Sequence, residues 1–334
     1  MTEWNKDLEK RILRKSRFTL SFRILRILIL VFLIYSGYMI LINIIADKLN
    51  ISGENAYYSK LALEWTVPNV RGDFDFEDEN MTFFGTKKLS YNLIKKVGYD
   101  DKVIGQATLT KRIAGISSIS FSHPGRKQLN DFSFSLPVDP RTERKLKANT
   151  SPNVWETLEK LPEGTVGELA FSTTSFMESK QLIESLGKYD INILWMPLYT
   201  GEFVDYKPSG WGGNEDIIIS DLIGLTGGNE HDKNYHESLR MNRLDEDTLT
   251  ESEQLMLKNM EELLNKPQSY YEQFLGLGHL KQKYQYLKEK GFTVYGAVVT
   301  GPVKELLKLK DESFIQGEQL GEVELWNWQL EDKE

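Results

Sequence analysis

Apolar and polar residues are spread very unevenly along this chain. From Ile27 to Ala46, twenty consecutive residues, ILILVFLIYSGYMILINIIA, carry no formal charge, and only Tyr35, Ser36, Tyr38 and Asn43 interrupt the run. A helix rising about 1.5 Å per residue covers roughly 30 Å over that length, the thickness of a hydrocarbon core. Lipid offers the backbone no hydrogen bonds, so the stretch must satisfy its own as a helix. The pattern therefore predicts a membrane span over 27–46. Ahead of it, Leu8, Ile12, Leu13 and Leu20 recur among basic residues, a spacing that extends the helix or lays it on the leaflet.

Beyond the span the pattern shortens. Residues 47–60 mix charges with Ser52, Gly53 and Asn55 and predict a connection, followed by apolar Tyr57, Tyr58, Leu61 and Leu63 and a solvated acidic run, Asp73 to Glu79. Thr82 to Phe84 and Tyr91 to Ile94 predict strands. Lys102 to Ile113, rich in Val, Ile and Thr, predicts a longer one continuing toward Ile116 to Phe121. Pro137, Pro140 and Pro152 flank the charged stretch 141–147 and predict an exposed boundary.

A cleaner alternation follows a short helix at Thr157 to Leu161. Val166 to Thr173 reads as a strand, Thr174 or Ser175 caps a helix through Leu186 that Gly187 ends, and Ile191 to Trp195 is a strand, giving a β-α-β unit. Gly278 to Lys290 (helix), Phe292 to Thr300 (strand), Pro302 to Leu309 (helix) and Gly321 to Trp328 (strand) complete the set. An insertion, Pro197 to Leu277, separates the two groups. Within it Thr250 and Glu253 form a capping box opening a helix to Leu264, whose stripe Leu255, Leu257, Met260 and Leu263 or Leu264 belongs to a core.

The predicted fold class is thus α+β with α/β character: a single N-terminal transmembrane helix, a small mainly β region, and an α/β domain with about four strands and a long insertion. Four strands are too few for a six-stranded dinucleotide-binding sheet. The expected boundaries are 1–26 (basic segment), 27–46 (span), 47–150 (first outer region) and 151–334 (second).

Charge orients this arrangement. Residues 1–26 hold eight basic and three acidic side chains, a net of +5, whereas 47–334 hold 33 basic and 46 acidic, a net of −13. Positive charge beside a span stays in the cytoplasm, so the chain is expected in the plasma membrane as a single-pass protein, N-terminus cytoplasmic and C-terminus extracytoplasmic. Arg14, Lys15, Arg17, Arg23 and Arg26 are placed to reach anionic membrane lipids, and direct nucleic-acid binding is not expected. With no cysteine the chain forms no disulfide and does no thiolate chemistry.

Candidate chemistry adds little. His231 and His236 lie five apart, off a common helical face, among Glu230, Asp232 and Asn234, and read as solvated loop residues rather than metal ligands. Asp205, Glu215, Asp216 and Asp221 supply carboxylates for a hydrolase pair, as any acidic loop does. No G-x-S-x-G elbow and no phosphate-binding G-x-x-x-x-G-K-[ST] loop is present. No catalytic residue, cofactor or metal is assigned, and the chain is read as a non-enzyme. The distinctive outer segment is Phe203-Val204-Asp205-Tyr206-Lys207-Pro208-Ser209-Gly210-Trp211, whose aromatics either pin the loop to the domain, the favoured reading, or form a contact platform through Phe203, Tyr206 and Trp211.

The basic run Leu8-Glu9-Lys10-Arg11-Ile12-Leu13-Arg14-Lys15-Ser16-Arg17-Phe18, the single span, and the outer region from Val166-Gly167-Glu168-Leu169-Ala170-Phe171-Ser172 through Trp195 and the Phe203 to Trp211 loop resemble the membrane-bound sigma-factor regulators of Firmicutes. That family includes negative regulators, anti-sigma factors, of an extracytoplasmic-function sigma factor active in cell-envelope stress. The resemblance implies signal transduction to transcription: Leu8, Arg11, Ile12, Arg14, Lys15 and Phe18 would contact a sigma factor or a second membrane regulatory subunit, and the outer regions an envelope protein. The 26-residue segment departs from the fullest family pattern, being shorter than a globular sigma-binding domain and lacking Cys and His for zinc. The alternatives are a membrane-tethered binding or assembly module without sigma-factor contact, and a cell-envelope hydrolase using Asp205, Glu215 or Asp216.

Overall fold

The computed structural model describes residues 6–48, 51–112, 117–124, 129, 132–148, 153–211 and 216–328, with Lys6, Leu8, Ala46 to Lys48, Ile51 and Trp211 described by backbone alone. Helix α1 spans Lys6–Lys48 without a break. At about 1.5 Å per residue its 43 residues extend roughly 65 Å, so the basic segment and the apolar run are one rod. The apolar side chains from Ile27 to Ile34 are all exposed, as expected of a surface with no protein over it.

The segment expected to be a connection is instead largely a second helix, α2, Ile51–Thr66. Ser52, Gly53 and Asn55, which favour turns as isolated residues, are overridden because the helix is packed on every side: Tyr57, Leu61 and Trp65 are buried, and so are Ser59, Lys60 and Glu64.

After α2 the chain builds an antiparallel sheet from β1 (Val70–Gly72), β2 (Glu77–Asp78), β3 (Thr86–Val97), β4 (Asp100–Arg112) and β5 (Ser118–Ser122), in the order β1-β3-β4-β5 with β2 also on β3. Leu89, Tyr91 and Leu93 alternate inward on β3, the period of a half-buried strand. Thr82 to Phe84, expected as a strand, lie in a tight turn that Gly85 closes at φ 67°, its N–H donating to Thr82 O at 2.9 Å. The extension of the long strand is a separate strand, β5, folded back on β4; Ile116 lies outside the described residues.

The remainder comprises α3 (Val154–Lys160), β6 (Thr165–Glu178), α4 (Ser179–Leu186), β7 (Asn192–Tyr199), the short strands β8 (Gly210–Trp211), β9 (Ile218–Ile219), β10 (Gly224–Leu225), β11 (Asn229–His231) and β12 (Glu237–Arg240), then α5 (Leu249–Leu264), a π-helical turn (Ser269–Phe274), α6 (Leu280–Lys290), β13 (Thr293–Pro302), α7 (Val303–Lys308) and β14 (Ile315–Leu325). Five strands form its main sheet in the order β10-β7-β13-β6-β14, every pair antiparallel. Strands β6 and β7, joined through α4, flank β13, and β13 and β14, joined through α7, flank β6. These are two split β-α-β units, the ferredoxin-like arrangement, interrupted by the insertion between β7 and β13.

The sheet is buried on both faces. Leu169, Phe171, Val294, Ala297 and Val299 share a core with Leu182 and Leu186 of α4 and Leu306 of α7. On the other face Ala170, Trp195 and Val298, paired across three strands, meet Phe134, Leu136, Ile217 and Ile219. Four expected ends move. Strand β6 runs to Glu178, so neither Thr174 nor Ser175 caps α4; β14 begins at Ile315 and ends at Leu325; and α5 begins at Leu249. The Thr250–Glu253 capping box does not form. Asp245 and Thr248 bond each other's backbone N–H at 2.9 and 3.1 Å, while Glu253 accepts from Ser179 Oγ at 2.5 Å. The stripe Leu255, Met260 and Leu263 is core, as expected.

Candidate functional site

Two adjoining helices with opposite surroundings carry the features of interest. On α1, Arg11, Ile12, Arg14, Lys15 and Phe18 are all exposed; Ile12 and Phe18 keep 60% and 71% of their surface open, and among the described residues the Phe18 ring meets only that of Phe22. The side chain of Leu8 lies outside the described residues. An exposed mix of arginine forks and large apolar groups offers both charge-assisted hydrogen bonds and apolar area to a partner.

Helix α2 is tied in by polar atoms as well as apolar ones. Trp195 Nε1 donates to Glu64 O at 3.1 Å, Asn229 Nδ2 to Glu64 Oε2 at 2.5 Å, and Lys60 Nζ to Phe74 O at 2.7 Å. Tyr57 Oη donates to Asn259 Oδ1 at 3.0 Å and Tyr58 Oη to Glu262 Oε2 at 3.0 Å. The partners come from both folded units. Burial pushes the Glu64 carboxyl above its ordinary range despite nearby Arg240, and pushes the Lys60 ammonium below its own.

The units are also joined directly. Lys95 Nζ of β3 meets Glu168 Oε2 of β6 at 2.8 Å, both side chains essentially without solvent contact. Asn69, held at φ 53°, donates to Glu168 Oε1 at 2.6 Å and to Lys96 O at 2.8 Å, Gly98 N–H donates to Thr300 Oγ1 at 2.7 Å, and Asn327 Nδ2 donates to Val97 O at 2.9 Å. The seam borders a small gap of about 40 Å³ lined by Glu64, Arg71 and Arg240 among others, and beside Asn327 an open groove of about 550 Å³ lined by Val97, Asp101, Lys102 and Trp326 among others.

Most of the aromatic loop is exposed, with Tyr206 and Pro208 turned inward. Tyr206 is buried, its ring stacked on His279 at 4.6 Å and its hydroxyl 3.0 Å from Glu202 Oε1 and 2.8 Å from Thr200 Oγ1. Phe203, at φ 65°, is half-buried under the Arg141 guanidinium at 4.7 Å. The side chain of Trp211 lies outside the described residues. Of the carboxylates, Glu215 lies outside them too, Asp216 is buried, Asp205 is exposed, and Asp221 Oδ1 accepts from Ser209 N–H. His231 is not a solvated loop residue. Its ring stacks on Tyr235 at 4.7 Å, packs edge-on against Tyr57 at 4.5 Å and meets Glu262 Oε2 through Nε2 at 2.9 Å. Among the described residues no three His, Cys, Asp or Glu side chains converge as metal ligands.

The sequence reading missed α2 altogether. The available signal was the density of large apolar residues from Tyr57 to Trp65, in which the isolated polar residues are partnered rather than solvated.

Comparison with known proteins follows the same division. Residues 10–102 match the family described as sigma factor regulator N-terminal, and residues 158–322 match sigma factor regulator C-terminal. A curated relative from Bacillus subtilis (strain 168), named "Probable anti-sigma-M factor YhdL", is 22% identical over 267 residues, covering 79% of this chain and 67% of the relative. No solved structure matches. Both matched families are named as regulators rather than enzymes, and together with the relative they support a sigma-factor regulator family for this chain.

Proposed function

We propose that this chain, allied by both of its domain matches with sigma-factor regulators, is a non-enzymatic single-pass membrane regulator of an extracytoplasmic-function sigma factor. The apolar run of α1 crosses the plasma membrane, the basic segment 1–26 faces the cytoplasm, and the acidic remainder lies outside and reads envelope state through protein contacts. The eight-to-three excess of basic residues ahead of the run supports that orientation.

The observation that carries this reading is one unbroken helix, Lys6–Lys48, with a bare basic end and, within three residues of its other end, a helix locked among both outer units. A shift in outer packing displaces α2, and the continuous helix α1 carries the displacement to Leu8, Arg11, Ile12, Arg14, Lys15 and Phe18. These residues hold the sigma factor directly or through a second membrane subunit. The name of the Bacillus subtilis relative supports a holding, inhibitory sign.

The test is exchange of residues 1–26 for an unrelated flank of equal net charge. At equal membrane level, sigma-dependent transcription should change. Unchanged transcription contradicts a contact role for the segment and moves the account to a tethered envelope-binding module.

A further inference from the structure

Three of the four polar interruptions in the apolar run of α1, Tyr35, Tyr38 and Asn43, touch a single feature, the turn Met81 to Gly85 at the end of the β2-β3 hairpin. Phe83 stacks on Tyr35 at 5.8 Å and packs against Tyr38 at 5.3 Å, and Tyr38 Oη donates to Phe83 O at 3.1 Å. Asn43 Oδ1 accepts from Met81 N–H at 2.9 Å. The next residue, Phe84, packs edge-on against Phe83 and is 85% exposed, the most exposed large apolar side chain among the described residues.

The turn lies along the apolar rod rather than above it. Tyr35 is eight residues before Asn43, on the order of 12 Å down the helix axis. Such a depth is prohibitive for loop backbone unless its polar groups are partnered. Here about half of the turn's own are: Thr82 N–H donates to Thr86 O at 2.8 Å, Gly85 N–H donates to Thr82 O at 2.9 Å, and α1 partners Met81 N–H and Phe83 O, while Thr86 N–H closes the turn onto Thr82 Oγ1 at 3.1 Å.

We infer that the Met81 to Gly85 turn is a second membrane contact, which inserts Phe83 and Phe84 into the outer leaflet beside α1, its occupant being lipid acyl chain. The inference rests on the reading of α1 as a membrane span. It assigns Tyr35, Tyr38 and Asn43 a job that their polarity within the run leaves unexplained. It also places the outer edge of the hydrocarbon near Asn43 rather than Ala46; the twenty-one residues from Arg23 to Asn43 cover roughly 30 Å, with Arg23 and Arg26 at the inner edge. The outer sheet is thereby fastened to the bilayer at two points, so it cannot swivel about the end of α1.

The chain has no cysteine, so single labels are introduced without background. Full-length Phe84→Cys, Ile34→Cys and Val204→Cys proteins, each carrying an environment-sensitive fluorophore, are placed in phosphatidylcholine vesicles. The probes are acyl-chain-brominated lipid and aqueous iodide. Position 34 lies in the apolar run and position 204 on an exposed loop. The expected result is that the label at 84 follows 34: blue-shifted emission, lost to brominated lipid and spared by iodide, while 204 shows the reverse. A label at 84 quenched by iodide and indifferent to brominated lipid, with 34 still quenched by lipid, overturns the second contact alone. If 34 is also aqueous, the membrane reading of α1 falls and this inference with it.

Discussion

Helices α1 and α2 are separated by two residues and invert each other's chemistry. Between Ile27 and Ile34, α1 leaves isoleucine, leucine, valine and phenylalanine uncovered, whereas α2 buries a lysine, a glutamate, an asparagine and a serine. Apolar surface of that extent is stable only against an apolar medium, and buried charge only against partners that neutralise or hydrogen-bond it. On the proposed membrane reading the pair divides labour: α1 gains most of its stability from the bilayer, with the Met81 to Gly85 turn as its protein contact, and α2 gains its stability from the protein itself. A perturbation in the folded part should reach α2 with little loss and leave α1 intact as a rod.

The sharpest way to break that contrast is at the buried seam. Lys95→Met leaves Glu168 buried without its cation, although Asn69 still donates to it, and should cost about 3–5 kcal/mol of the stability of the folded region; pairing it with Glu168→Leu should recover much of the loss. Tryptophan-monitored denaturation of the full chain in nanodiscs reads both. A smaller loss, about 1–3 kcal/mol in the same measurement, is expected of Gly224→Ala, because a Cβ there would sit 2.0 Å from the Trp195 ring.

Glu64 sharpens the comparison through pH. Its carboxyl is raised above the ordinary 4.5 by burial, so the unfolded chain releases the proton at lower pH than the folded one. Stability should fall as pH rises from 4.5 to the raised value and stay level beyond it. Glu64→Gln should remove that component of the slope, visible in denaturation curves taken across the window. The smallest effect belongs to α1: Leu33→Ala, in an exposed position, should leave the stability of the folded region within about 0.5 kcal/mol of the parent. A loss comparable to that of Lys95→Met would show that α1 and the folded part are not energetically separate.

What could be read from the sequence follows the same division. The apolar run of α1 announces itself because its pattern is a solvent property, a long uncharged surface. Strands β6, β7 and β13 were placed within a few residues at most ends because two-sided burial writes continuous apolar runs. Helix α2 reads as a connection because Ser52, Gly53 and Asn55 favour turns and because Lys60 and Glu64 look solvated until Phe74, Trp195 and Asn229, far away in sequence or in another element, supply their partners. The same holds for His231, whose loop neighbours hide the Tyr57 and Glu262 contacts. The seam between Lys95 and Glu168 has no local signal at all. The antiparallel order of the main sheet was illegible for a related reason: β13 inserts between β6 and β7 from about a hundred residues downstream.

The central claim, that the exposed basic end of α1 holds a transcription-controlling partner, is tested most directly by crosslinking the full-length protein in its native membrane beside a version with residues 1–26 exchanged, and identifying what each captures. The account predicts a sigma factor, alone or with a second membrane subunit, captured by the native segment and lost with the exchanged one. Identical capture of envelope proteins by both versions, with no sigma factor in either, would contradict it and assign the function to the outer units alone.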